Sequence, residues 1–126
     1  MINLNIVGLG QLGSNLAIEV VKRAYALDFP LLFRLFDDDG VESRNTAAQW
    51  FSPSHIGMKK VDAVAREITS YGYQVEPWVT RFTPSSNMYL DEQSILIDCT
   101  DNAETRHNLW QYAVVHNVPL MAHRLS

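Results

Sequence analysis

The spacing of apolar residues along the chain switches between two and three-to-four in a regular order. In "INLNIV" Ile2, Leu4 and Ile6 alternate as in a strand, and Leu16, Ala17, Val20, Val21 and Ala24 then recur on one helical face. "LLFRLF" (31–36), a short apolar run between Pro30 and a row of aspartates, predicts a buried strand. Val61, Val64, Ala65 and Ile68 mark a second helix that Tyr71 and Gly72 can end. "YQVEPWV" predicts a weaker strand at a sheet edge, because Pro77 cannot donate to a ladder. "SILIDC" (94–99) predicts another buried strand, and "VPLMA" near the end a last one. Between these two, Asp101 and Glu104 have the spacing of an N-cap and its N3 partner, and Leu109, Ala113 and Val114 continue as a helical stripe.

Strands alternating with helices predict an α/β fold: a Rossmann-like three-layer αβα domain with a mainly parallel sheet of about five strands. No repeat, low-complexity tract or linker divides the chain, so residues 1–126 are expected to form one domain. In such sheets ligands collect at the carboxyl ends of the strands.

Composition narrows the function classes. The hydrophobic fraction of 47% and charged fraction of 19% are those of an ordinary globular protein. Ten basic residues against fourteen acidic ones give a net charge of -4, and the basic residues are scattered. A nucleic-acid surface is therefore not expected, whereas a small anionic ligand is compatible. The single Cys99 cannot form an internal disulfide, "MINLNIVGLG" does not read as a signal peptide, and no apolar run approaches the roughly 20 residues of a membrane span. The expectation is a cytoplasmic protein without a membrane partner. The histidines show no paired metal spacing that would make a zinc site, and Trp50, Trp78 and Trp110 read as core residues on separate elements.

Chemistry concentrates after the predicted strands. In "GLGQLGS", Gly8, Gly10 and Gly13 form G-x-G-x-x-G between the first strand and the first helix, a loop that brings a helix N-terminus close to a phosphate. The competing reading is a glycine turn that only packs helix on sheet. Asp37 lies about 24 residues past Gly13, near the distance at which an acidic residue reaches a ribose hydroxyl in NAD-binding domains. Such a domain needs one carboxylate, and leaves Asp38, Asp39 and "GVESRNTAAQ" unexplained.

Taken together, "GLGQLGS", "FDDDGVESRNTAAQ", "IGMKK" and "LIDCTDNAETRHN" resemble the ThiF/MoeB/HesA superfamily, in family order and spacing over about residues 4 to 122. The nucleotide-binding fold of that superfamily is shared with the ubiquitin-activating enzymes. Its members bind ATP and magnesium and attach AMP to the C-terminal glycine of a ubiquitin-like or sulfur-carrier protein.

The resemblance implies a set of roles. Gly8, Gly10, Gln11 and Gly13 form the nucleotide loop; Asp37 takes the ribose hydroxyls, and Asp39 stands with Asp38 in the acidic turn. Asn45 and Gln49 line the nucleotide site, Lys60 meets the phosphates, Asp101 is the magnesium aspartate, and Asn102 stands beside it. A hard oxygen ligand and a point positive charge suit phosphate chemistry. Blander roles stay open: Asp101 as a helix N-cap, Lys60 as a solvated lysine beside Lys59, Asn45 as cap of a short helix "TAAQWF", and Cys99 as a core residue.

Departures from the family pattern bear on activity. Ala48 stands where members usually carry an arginine before the glutamine, and Arg44, four residues earlier, is the expected substitute if the segment is helical. Gln11 replaces a frequent glycine. Met1 stands almost at the first strand, and the fifth strand closes the sequence, so a minimal member is expected, corresponding to the first half of the family's adenylation domain. The resemblance therefore implies an adenylating component completed by a second subunit or dimer partner. The alternatives are a reduced nucleotide- or partner-binding module and a plain NAD-binding domain.

Overall fold

The computed structural model describes residues 1–82 and 93–122. Five strands, β1 (Ile2–Val7), β2 (Leu31–Phe36), β3 (Gln74–Trp78), β4 (Ser94–Asp98) and β5 (Leu120–Ala122), form one sheet in the order β3-β2-β1-β4-β5. Every pairing is parallel, with Ile6 opposite Leu35 on one side and Ile97 on the other. The helices are α1 (Gln11–Leu27), α2 (Lys60–Ser70) and α3 (Ala103–His116), and 3-10 turns occupy Ser43–Thr46 and Pro53–His55.

Two apolar clusters make the three layers. Leu4, Ile6, Phe33 and Leu35 pack against Val21 of α1 and Val64 and Ile68 of α2. On the opposite face, Val7, Phe36 and Leu96 pack against Leu109, Tyr112 and Ala113 of α3. The predicted α/β architecture is thus the observed one, and β3 with Pro77 is an edge strand as its proline requires. No helix among the described residues is long and apolar enough to cross a membrane.

Local readings needed correction at four places. The N-cap of α3 is Asn102, not Asp101: its Oδ1 accepts the Thr105 amide at 3.0 Å. Val114 is exposed, because the buried stripe of α3 runs through Thr105, Leu109, Tyr112 and Ala113. Trp110 and Trp78 are exposed rather than core, and Trp50 is partly buried. "TAAQWF" forms no helix of its own: Thr46 ends the 3-10 turn and residues 47–51 are irregular. The Trp50 amide, which a helix would turn to Thr46, donates instead to Ser14 Oγ at 3.1 Å, and the Ala48 carbonyl accepts Asn15 Nδ2 at 3.1 Å. Tertiary bonds to α1 thus take both groups away from the helical pattern.

Candidate functional site

β1 delivers the chain to Gly8, whose φ of +91° turns it toward α1. The three motif glycines have different reasons to be glycine. A Cβ at Gly13 would lie 1.7 Å from the Gly8 carbonyl oxygen, and one at Gly8 would lie 3.0 Å from the Cys99 carbonyl oxygen. Those two let the first helical turn pack on the loop and the loop pack on the segment after β4. A Cβ at Gly10 would meet nothing within 4 Å. Gly10 is the N-cap of α1 and no side chain caps that end. The helix therefore presents its first-turn amides, and the positive end of its dipole, beside open space.

β2 delivers Asp37 to the same edge. Its Oδ2 accepts the Leu9 amide at 2.7 Å and its Oδ1 accepts the Asp39 amide at 2.8 Å, so one carboxylate ties the glycine loop to the acidic turn. Burial pushes its pKa above the ordinary 3.8, against the lowering effect of the two amides and of Lys60. The other two aspartates face cations. Asp38 lies 3.4 Å from Arg81 Nε, and Asp39 lies 4.0 Å from Lys60 Nζ.

Lys60 begins α2, and its amide donates to the Asp39 carbonyl at 3.0 Å. Its side chain is only 7% exposed. Nζ stands 6.0 Å from the centre of the Phe51 ring, so the Lys59–Lys60 pair is not a solvated doublet. A buried ammonium with its carboxylate at the limit of ion-pair distance keeps donor capacity for an anion.

After β4 come Cys99, Thr100, Asp101 and Asn102. Asp101 is exposed, and its carboxylate makes no hydrogen bond or ion pair among the described residues. Cys99 is buried, and burial reinforced by the Asp98 carboxylate pushes its thiol up to about 12. It stays a protonated core side chain, as its place at the strand end implies.

These segments enclose a cleft of about 1020 Å³. Of the residues expected at the site, Gly8, Gly10, Gln11, Asp37, Asp39, Gln49, Lys60, Asp101 and Asn102 line it. Gly13 lies behind the lining, under the loop. Asn45 is buried and turned away: its Oδ1 accepts the Glu42 amide at 2.8 Å, closing the 3-10 turn. Arg44 is also outside the lining. Its segment is a 3-10 turn rather than an α-helix, so a four-residue spacing gives it no shared face with position 48. Its Nε donates to Glu42 at 2.6 Å, with the side chain 80% exposed.

Sequence reasoning missed Thr80, Arg81 and Phe82, which line the cleft from the segment after β3. The rule that ligands gather beyond the carboxyl ends of strands pointed there, but no motif marked these residues. Trp50 also lines the cleft.

The lining fits a nucleotide with magnesium. Gly10 leaves room beside uncapped amides, Gln49 Oε1 is buried without a hydrogen-bond partner among the described residues, and Lys60 supplies a cation. Asp101 offers a hard carboxylate with no competing bond among the described residues. The oxygens of Asp37, Asp38 and Asp39 lie within 4.8 Å of one another, but amides and cations already engage all three.

An all-parallel sheet in this order, with a glycine-loop cleft at its carboxyl edge, defines a Rossmann-like αβα protein. The chain belongs to the ThiF family, whose profile matches residues 2–125. It is 28% identical over 120 residues to the adenylyltransferase and sulfurtransferase UBA4 of Yarrowia lipolytica, an alignment covering 93% of this chain and 29% of that protein. Among solved structures it is similar to E. coli tRNA N6-threonylcarbamoyladenosine dehydratase, TcdA, in complex with ATP. That match has a TM-score of 0.78 and 22% identity, and covers 96% of this chain and 50% of TcdA. E. coli MccB with AMPCPP and MccA matches at a TM-score of 0.76 and 20% identity, covering 96% of this chain and 36% of MccB. The chain thus spans half or less of each of these relatives, and the structural likenesses establish the fold.

Proposed function

We propose that this chain binds ATP with magnesium and serves as the nucleotide-holding part of an adenylating component, completed by a second polypeptide or a second copy. The observation that carries this reading is the placing of buried Lys60 and the uncapped N-terminus of α1 in one cleft. Two positive features converging on the edge of a parallel sheet suit a polyphosphate better than any neutral ligand.

In this reading the α1 amides and Lys60 hold the phosphates, and Asp37 accepts from the ribose hydroxyls with the lone pairs its two amides leave free. Gln49 Oε1 accepts from a nucleotide donor. Asp101 would hold magnesium, which when bound neutralises charge on the phosphate oxygens. The acceptor is the C-terminal carboxylate of a ubiquitin-like or sulfur-carrier protein: its oxygen bonds to the α-phosphorus and pyrophosphate leaves. The name of the UBA4 relative and the ATP in the TcdA structure support this choice of ligand and reaction. A cytoplasmic location goes with the reading, and the lone buried thiol is compatible with it.

One observation favours a second reading, a module that binds nucleotide without turnover. Ala48 stands at the family's arginine position, and Arg44 is paired with Glu42 away from the cleft. A mobile phosphate charge would then lack the guanidinium that this loop supplies in such transfers, and Arg81, which lines the cleft, faces Asp38 instead.

Calorimetric titration with ATP and with NAD, each with and without magnesium, followed by pyrophosphate exchange with a carrier protein, separates the readings. Magnesium-dependent ATP binding with carrier-stimulated exchange is the expected result. Binding without exchange selects the module, and preference for NAD overturns both. Lys60→Ala is expected to weaken ATP about 10- to 100-fold, the worth of a charge-assisted hydrogen bond.

A further inference from the structure

Asp98 ends β4, and its side chain is wholly buried. Its Oδ1 accepts both the amide of Thr100, at 2.9 Å, and the Thr100 hydroxyl, at 2.6 Å. Its Oδ2 accepts Arg106 Nε at 2.5 Å. Arg106, near the start of α3, reaches back over the loop, and its Nη2 donates to the Thr100 carbonyl at 3.1 Å. The backbone N–H and C=O of Thr100 and its hydroxyl are therefore all held by one carboxylate and one guanidinium. Thr100 immediately precedes Asp101, and it also presses on the nucleotide loop, with its Cγ2 3.1 Å from the place of a Cβ on Gly8. Neither Asp98 nor Arg106 lines the cleft, although residues 99–102 between them do.

Placing a carboxylate wholly inside the protein, with its cation only partly exposed, is an expensive way to fill space, since apolar residues of the same volume would often be at least as stable. The planar, forked geometry of the ion pair is what apolar residues cannot supply. We propose that Asp98 and Arg106 are positioning residues: the pair fixes the Thr100–Asn102 segment so that Asp101 stands in the cleft in one orientation, and it thereby sets the magnesium-dependent part of nucleotide affinity. The inference deepens the ATP reading and rests on it for the ligand.

Two readouts test it. The first needs no ligand: amide hydrogen exchange of residues 100–102 in the free protein, compared with that of Ile6 in β1. Arg106→Gln is expected to accelerate exchange at 100–102 while Ile6 stays protected. Arg106→Lys keeps a cation for Asp98 but cannot span Asp98 and Thr100 with one rigid fork, so an intermediate effect is expected. The second readout is ATP affinity with and without magnesium. Arg106→Gln is expected to lose about 10- to 100-fold of the affinity that magnesium adds, as substitutions behind a metal ligand commonly do. Its magnesium-free AMP affinity should match wild type. Asp101→Asn should show the same loss of magnesium dependence without faster exchange.

Wild-type exchange and wild-type magnesium dependence in folded Arg106→Gln overturn the proposal. If that variant does not fold, the same result in Arg106→Lys overturns it. If the wild-type protein binds no ATP, the functional reading falls by itself and the exchange readout decides the positioning role.

Discussion

Gly10 and Gly13 are three residues apart in one loop, yet they meet opposite constraints. A methyl on Gly13 would overlap the Gly8 carbonyl oxygen at 1.7 Å, so Gly13→Ala is expected to cost about 3 kcal/mol or more, read as a lowered Tm. A methyl on Gly10 enters open space, so Gly10→Ala should keep stability within about 1 kcal/mol and instead weaken nucleotide binding by filling the cradle. Asp37 brings a pH dependence. Its folded pKa is raised by burial, so the protonated carboxyl is favoured in the folded chain. Its favourable contribution to stability is full below the ordinary 3.8 and is lost as pH rises through the raised folded value. Nucleotide affinity should run the other way. It falls as acid protonates Asp37, beginning at a pH above 3.8, and Asp37→Asn should abolish that part of the pH profile in titrations.

At the scale of elements, α3 shows how a one-residue difference separates stability from chemistry. Asn102 closes the helix by accepting the Thr105 amide, while Asp101 lines the cleft with no partner among the described residues. Asn102→Ala should therefore cost about 1 kcal/mol in denaturant unfolding, and Asp101→Ala about 0.5 kcal/mol or less. Capping residues are legible as a type, but two adjacent candidates, Asp101 and Asn102, carry the same signal. The stripe Leu109 and Ala113 was legible for the same reason that Val114 misled: an apolar residue at helical spacing predicts a buried face only if an element covers it. Pro77 pointed to an edge strand, and β3 lies at the edge, because a missing donor is a property of the residue itself.

At the scale of the whole molecule, the strand order places β1 at the centre, and the segments that follow β1, β2, β3 and β4 converge on one cleft. A ligand that touches all of them stabilises the entire fold rather than one part. At a hundredfold excess over its Kd, ATP with magnesium should add about 2.7 kcal/mol and raise Tm by roughly 8–15 °C, and NAD at the same concentration should not. A thermal shift measured against ligand concentration checks this.

The sequence by itself determined the alternation of strands and helices, the sites of Gly8, Asp37, Lys60 and Asp101 at strand ends or a helix start, and the family to which they point. These follow from periodicity and from fixed short spacings, which act locally along the chain. Only the tertiary structure decided that Gly13 supports the loop from behind, that Asn45 and Arg44 turn to Glu42, and that Trp50 and Ala48 bond to α1 instead of making a helix. It alone joined Asp98 to Arg106 across the segment that carries Asp101. Each of these outcomes depends on which polar group lies nearest in space once the sheet has closed, and that distance is set by packing between elements far apart in the chain.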